Sequence, residues 1–287
     1  MDKDVLSVIE NGSKNFSKGQ RRIAKYITEN YDKAAFMTAG KLGKTVGVSE
    51  STVVRFAAEL GYDGYPGMRK ALQEMIRNRL TSVQRIEVAK ELIDDTNVLK
   101  AVLAADMEKL QKTIDDIDRQ SFDAAVDAII NGKHIYIVGM RSSTALSSFM
   151  GYYLNLLRDN VFLLHDTAVS EVYEQILRIG EGDVFIGMSY PRYSSRTIKA
   201  MRFAKDAGAT TIGLTDGKSS PLVELSDIKL FAKSDMVSFL DSLVAPLSLV
   251  NALIVSIGLR SKDALSDTFK RLETVWTANE VYENTEN

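Results

Sequence analysis

Ala39-Gly40-Lys41-Leu42-Gly43-Lys44-Thr45-Val46-Gly47-Val48-Ser49-Glu50-Ser51-Thr52-Val53-Val54-Arg55-Phe56-Ala57-Ala58 has the residue pattern of two short helices crossing at a tight turn. Leu42, Val46, Val48, Val53 and Phe56 fall where crossing helices must share apolar contacts. Gly47 falls where the turn between them needs a positive φ. Ser49 then opens the second helix as an N-cap, its hydroxyl accepting an orphan backbone N–H. Short polar groups follow early in that helix, with a cation one turn in. In a helix-turn-helix the N-terminal part of the second helix enters the major groove. Ser51, Thr52 and Arg55 are therefore the candidates for base edges, with Glu50 beside them. Lys41, Lys44 and Ser49 are the candidates for phosphates, which set register without carrying sequence. Each feature alone is common; their joint occurrence in one window is specific.

Working outward, residues 1–77 read as all helix. Ser17-Lys18-Gly19-Gln20 has the form of a capping box ahead of the apolar face Ile23, Ala24, Tyr26 and Ile27. A new start follows at Thr38, then the motif. Gly61-Tyr62-Asp63-Gly64-Tyr65-Pro66 breaks the chain, and Pro66 suits the first turn of another helix through Met68, Leu72, Met75 and Ile76. Residues 78–118 contain no Pro and no Gly and predict a helical connector. Leu99, Val102, Leu103, Met107, Leu110 and Ile114 keep a helical stripe that fits a second domain or another subunit.

The pattern changes over residues 119–287. Phe122 to Ile130 is amphipathic, Asn131-Gly132 ends it, and a strand is expected at His134–Val138. Further apolar strands are expected at Val161–Leu164, Val184–Met188, Thr211–Leu214 and Ile228–Phe231. Helices are expected between them at Thr144–Arg158, Val169–Ile179 and Arg196–Ala207, and after them at Phe239–Leu259 and Ala264–Glu283. Alternating strands and helices with near-continuously apolar strands imply an α/β domain whose parallel sheet is buried on both faces.

The composition bounds the function. With 287 residues, 45% apolar and 26% charged, the chain is long enough for two domains. No run of eighteen apolar residues occurs and Met1-Asp2-Lys3-Asp4 is no secretory signal, so a cytoplasmic address without membrane contact is expected. The absence of cysteine excludes disulfides and thiol catalysis. No metal-ligand spacing is recognisable, and no cofactor is expected. The net charge of −2 hides an asymmetry. Residues 1–77 carry thirteen basic and nine acidic residues, net +4, and the remainder carries 23 and 29, net −6. A mildly basic head on an acidic body fits localised contact with double-stranded DNA.

In an open parallel sheet, ligands bind beyond the carboxyl ends of the strands. Gly139-Met140-Arg141-Ser142-Ser143-Thr144 follows the first strand, and Ser189-Tyr190-Pro191-Arg192-Tyr193-Ser194-Ser195-Arg196-Thr197 follows the third. Both run into a helix, whose N-terminal N–H groups and hydroxyls suit an anion. Arg141, Ser142, Ser143, Ser189, Arg192, Ser194, Ser195 and Thr197 are the candidate ligand residues. The alternative is that these hydroxyls only cap two helices and the arginines form structural ion pairs.

On these two loops, fifty residues apart from Gly139 to Ser189, and on Val48 to Phe56 with Leu60-Gly61-Tyr62-Asp63-Gly64-Tyr65, the chain resembles the RpiR/MurR family of bacterial transcription regulators. The resemblance covers nearly the whole chain. It implies a helix-turn-helix domain joined to a SIS (sugar isomerase) domain, a flavodoxin-like five-stranded sandwich that binds phosphosugars and assembles into dimers or larger oligomers. SIS loops of this kind usually read Gly-x-Gly-x-Ser and Ser-x-Ser-Gly-x-Thr. Here Arg141 and Arg192 stand at glycine places, Pro191 at the second serine and Ser194 at the threonine. An arginine offers a planar, always-charged fork in place of close backbone approach, so the effector that the resemblance implies is a phosphosugar or another anion such as a sugar acid.

Catalysis has little support. An aldose-ketose isomerase needs a general base, and the chain has two histidines. His134 lies at the wrong end of its strand, whereas His165, with Glu171 and Glu174 on the helix after it, falls on the ligand side. The expectation is a sequence-specific DNA-binding regulator without catalytic residues, acting as a homodimer or homotetramer on a two-fold operator. An isomerase with a helical oligomerisation head, and a protein-interaction module, remain open.

Overall fold

The computed structural model describes residues 5–12, 16–76, 81, 83–86, 97–165, 171–234 and 240–282. The chain divides into two compact units, Met1–Leu103 with Met236–Asp241, and Ala104–Asp235 with Ser242–Asn287.

The first unit is helical: α1 (Val5–Gly12), α2 (Lys18–Glu29), α3 (Tyr31–Ala34), α4 (Ala39–Val46), α5 (Glu50–Glu59) and α6 (Gly64–Ile76). Ser17 and Gln20 close the expected capping box: Ser17 N–H donates to Gln20 Oε1 at 2.8 Å, and Gln20 N–H to Ser17 Oγ at 3.4 Å. Ile23, Ile27, Leu42, Val53, Phe56, Met68 and Leu72 are fully buried in one core, with Val46 and Val48 packed on its margin. Phe16 meets Phe56 edge to face, ring centroids 5.2 Å apart. The Tyr65 hydroxyl donates to Met37 O at 3.0 Å. Burial, opposed by the charge of Arg69, pushes its phenol up to about 12, so it stays a donor at ordinary pH.

The second unit contains a five-stranded parallel sheet in the order β2-β1-β3-β4-β5, with β1 (Ile135–Gly139), β2 (Val161–Leu163), β3 (Val184–Met188), β4 (Thr210–Thr215) and β5 (Ile228–Phe231). Ile135 pairs with both Val161 and Val184, Val184 with Thr210, and Ile212 with Ile228. This is the flavodoxin order, whose direction reverses between β1 and β3.

Side chains alternate across each strand. On one face Ile135, Ile137, Ile186 and Ile212 pack with α8 (Arg119–Asn131), α9 (Thr144–Leu157) and α12 (Val244–Arg260). On the other, Tyr136, Val138 and Phe185 pack with α10 (Glu171–Gln175) and α11 (Ser195–Asp206). Both faces of the sheet are therefore covered, which is why its strands read as apolar runs. A last helix, α13 (Lys262–Ala278), closes the described chain.

Several boundaries move. β1 begins one residue later than expected, leaving His134 outside it with Nδ1 2.8 Å from Asp183 Oδ1. The helix expected at Val169–Ile179 is helical only over Glu171–Gln175, and residues 166–170 lie outside the described ones. Its end coincides with a tertiary demand, because the Gln175 amide bonds the His165 backbone. The helix expected from Phe239 starts at Val244, where Pro246 occupies the first turn. α13 spans Lys262–Ala278 rather than Ala264–Glu283.

In the connector, α7 (Val98–Asp116) and residues 83–86 are helical, and residues 87–96 lie outside the described ones. Leu110 packs on the sheet core, while Leu99, Val102, Leu103, Met107 and Ile114 stay exposed.

Candidate functional sites

The head is built around its turn. Thr38 caps α4, accepting from Lys41 N–H at 3.2 Å. Gly47 takes φ 69°, as the crossing requires. Gly43 is fixed by proximity: a Cβ there would stand 2.9 Å from the Val48 carbonyl oxygen, so no larger residue fits without moving the turn. Ser49 caps α5, accepting from Thr52 N–H at 3.3 Å. Its Oγ also lies 2.9 Å from Ser51 Oγ and 2.8 Å from Thr52 Oγ1.

Lys41, Lys44, Ser49, Glu50, Ser51 and Arg55 are exposed, and Thr52 is half-buried with its methyl towards Gly19. Arg55 Nε donates to Ser51 O at 3.3 Å, which steers the side chain back along α5. The Glu50 carboxylate sits at the start of α4, where a Cβ on Gly40 would stand 3.2 Å from its Oε2. Sequence reasoning passed over Val54, which is exposed one turn after Ser51. The signal available was its position, off the period of the buried Val53, Phe56 and Ala57.

In the second unit both unusual arginines have left-handed backbone, Arg141 at φ 58° and Arg192 at φ 62°. The chain has thus kept the backbone conformation that glycine favours while placing a cation there. For a non-glycine residue this conformation stores on the order of 1–2 kcal/mol. The two loops leave β1 and β3, neighbours in register from Ile135↔Val184 to Gly139↔Met188. They therefore flank the point where the strand order reverses, the favoured ligand position of this architecture.

The first loop is tight. A Cβ on Gly139 would stand 2.3 Å from Ser143 O, and Thr144 Oγ1 donates to Gly139 O at 3.0 Å. Beside it opens a cleft of about 300 Å³ lined by Gly139, Arg141, Thr144, Ser147, Ser148, Leu163, Leu164 and His165. The His165 peptide is clamped on both sides, its N–H donating to Gln175 Oε1 and its carbonyl accepting from Gln175 Nε2, each at 3.1 Å. The cleft takes Arg141 from the candidate set and adds Thr144, Ser147, Ser148 and His165. The signal for the two serines was their place one turn into α9, on a predominantly apolar helix. Ser142 is exposed next to the cleft in sequence, and Ser143 is buried.

The second loop is held by its own hydroxyls. Ser189 is buried, and its Oγ accepts from Ser194 N–H at 3.0 Å. Ser194 caps α11, accepting from Thr197 N–H at 3.4 Å, while Thr197 is buried and Ser195 and Arg192 are exposed. Behind them Asp216 is buried and accepts from Tyr193 Oη at 2.8 Å and Thr215 Oγ1 at 3.1 Å. Burial, reinforced by the charge of Asp216, raises the Tyr190 phenol, so it remains neutral. Glu171 is half-buried and Glu174 exposed on α10. Among the described residues no group of three His, Asp or Glu could hold a metal ion, and no helix is long and apolar enough to cross a membrane.

Residues 3–79 match the family model "Helix-turn-helix domain, rpiR family", and residues 128–256 match "SIS domain". An uncharacterized HTH-type transcriptional regulator of Caldanaerobacter subterraneus subsp. tengcongensis is 25% identical over 277 residues, covering 94% of this chain and 95% of that protein. The sugar isomerase domain of an RpiR transcription factor from Sphaerobacter thermophilus superposes with TM-score 0.60 at 28% identity, over 62% of this chain and 99% of that one. Vibrio vulnificus NanR complexed with ManNAc-6P superposes with TM-score 0.56 at 24% identity, over 94% and 99%, and shows the shared fold. With an rpiR-type helix-turn-helix at the front and a SIS domain behind it, the chain belongs to the RpiR family of transcriptional regulators.

Proposed function

We propose that the protein is a DNA-binding transcriptional regulator that reads a two-fold operator with residues 1–77 and senses an anionic sugar metabolite with residues 119–287, joined by the connector 78–118. The observation that carries the sensing is left-handed Arg141 lining a hydroxyl-bearing cleft, with left-handed Arg192 on the loop after the neighbouring strand. A guanidinium binds a phosphate or carboxylate bidentately, and Thr144, Ser147 and Ser148 supply hydroxyls for a sugar. The effector class is a phosphosugar, with a phosphorylated or free sugar acid as the variant that two arginines favour. Arg141 and Ser142 hold it from the first loop; Arg192, Ser194 and Ser195 complete it from the second, while Ser143, Ser189 and Thr197 shape the two loops. In this reading the sugar is sensed and not turned over. The operator places the site of action in the cytoplasm.

On DNA, Ser51, Thr52 and Arg55 face bases, with Glu50 at their edge, and Lys41, Lys44 and Ser49 hold phosphates. Titration of a labelled duplex from the flanking promoter, followed by fluorescence anisotropy at two salt concentrations, tests this. Arg55→Ala is expected to weaken specific binding by about 5- to 150-fold, the range of one good base contact. Affinity that ignores both salt and the Arg55 change would remove the DNA assignment. An effector from a panel of phosphosugars and sugar acids should shift the wild-type curve by a coupling of about 1–3 kcal/mol.

Two heads are needed to read half-sites about 34 Å apart, so the active form is a homodimer or homotetramer. Val244, Leu247, Val255 and Leu259 leave an exposed apolar stripe on α12, with Tyr152 and Tyr153 exposed on α9. Val255→Asp with Leu259→Asp is expected to give monomers in sedimentation velocity with unchanged circular dichroism. A double variant that stays oligomeric would place the subunit contact elsewhere.

A further inference from the structure

Among the described residues of α1 to α6, Val54 is the one large apolar side chain left exposed, at 40% of its surface. It lies on the outer side of α5 together with Ser51, Arg55 and Ala58, the i, i+3, i+4 and i+7 positions of one helix face. The fold gives it no employment there. Val53, Phe56 and Ala57 make the core contacts of this helix, and a β-branched residue is a poor choice for an exposed helical position.

Its polar neighbours are already directed. The Ser51 hydroxyl is bonded to Ser49 Oγ, and Glu50 turns back to the start of α4. Arg55 is steered along the helix by its Nε bond to Ser51 O. The second turn of α5 therefore presents an isopropyl group next to a guanidinium. In the major groove the thymine C5-methyl is the apolar mark among the base edges, and arginine is the common reader of guanine O6 and N7.

We infer that Val54 reads the C5-methyl of a thymine in each half-site, next to the base taken by Arg55. This rests on the DNA-reading assignment made above. It makes Val54 a specificity-determining residue that distinguishes T·A from the other three pairs without any hydrogen bond.

The test uses the full chain. A randomised duplex pool is selected on the protein, and the enriched duplex is remade with deoxyuridine at each thymine in turn, which removes only the methyl group. Wild-type protein should lose about fourfold in affinity at one thymine per half-site, the factor supplied by one buried methyl. Val54→Ala should bind the thymine duplex more weakly and show no loss on that same change. Ala is a better helix former, and an unchanged melting temperature would confirm that the variant is folded. Equal uridine sensitivity in both proteins at every position, or an enriched half-site without thymine, overturns the inference and leaves DNA reading intact. A pool in which nothing is enriched overturns the DNA reading itself, and the inference with it.

Discussion

Phe56→Ala is expected to abolish DNA binding by unfolding the helical head, while effector binding persists. Phe56 is fully buried between α5 and the rest of the head and meets Phe16 edge to face. Removing a buried phenylalanine costs about 3–5 kcal/mol in transfer and cavity terms together. That is comparable with the whole stability of a small domain, which cannot spread the loss over a large core. Calorimetry should show the head transition lost or displaced far downward, with a second transition near its wild-type temperature. Loss of both transitions together would mean that the two units do not unfold independently. The partner change Gly43→Ala acts by a different route. Its Cβ would press on the Val48 carbonyl, so the turn must shift even though the core keeps its volume.

Arg141→Gly is expected to act with opposite signs on stability and binding. Glycine adopts φ near 58° without strain, so relieving the arginine should offset part of the 1–2 kcal/mol stored there. A glycine also gains unfolded-state freedom, which takes back about 0.5–1 kcal/mol, leaving a melting temperature unchanged or slightly higher. The same change removes the cation that lines the cleft. Loss of a charge-assisted bidentate contact corresponds to about 1.5–3 kcal/mol, or roughly 10- to 150-fold in effector affinity. Isothermal titration with the effector found in the promoter assay would read the second effect, and differential scanning calorimetry the first. An Arg141→Gly protein that binds its effector as tightly as wild type would make the arginine a structural residue. Arg192→Gly provides the comparison on the neighbouring loop.

The features that sequence made legible are those decided by local chemistry. Ser17, Thr38 and Ser49 cap because a short side-chain oxygen before an apolar-periodic run satisfies orphan N–H groups. Gly47 turns because few other residues tolerate its φ. The parallel sheet was visible because burial on both faces removes alternation. Its strand order is non-local, and followed here from family resemblance rather than from residue pattern.

The left-handed state of Arg141 and Arg192 was not legible from arginine itself, which rarely takes it. Only the glycine places of related loops hinted at it. The cleft lining was partly hidden for a similar reason. His165 was expected on the ligand side, but Ser147 and Ser148 meet it only once α9 and β2 are folded against β1, and nothing in their spacing announces that meeting. The shortened α10 shows the limit of propensity. Residues 176–178 are apolar or basic, yet the Gln175 clamp on His165 marks where regular helix ends.

The order of the sheet also bears on how the protein survives at high concentration. β2 and β5 are its outer strands, and both are short, three and four residues against five or six for the strands between them. An open parallel sheet always leaves two rows of unpaired backbone groups on which another chain can template. Short outer strands, one of them carrying Lys229, limit how many such groups a neighbour can engage. Copies of the chain at high concentration therefore have little tendency to add sheet to sheet.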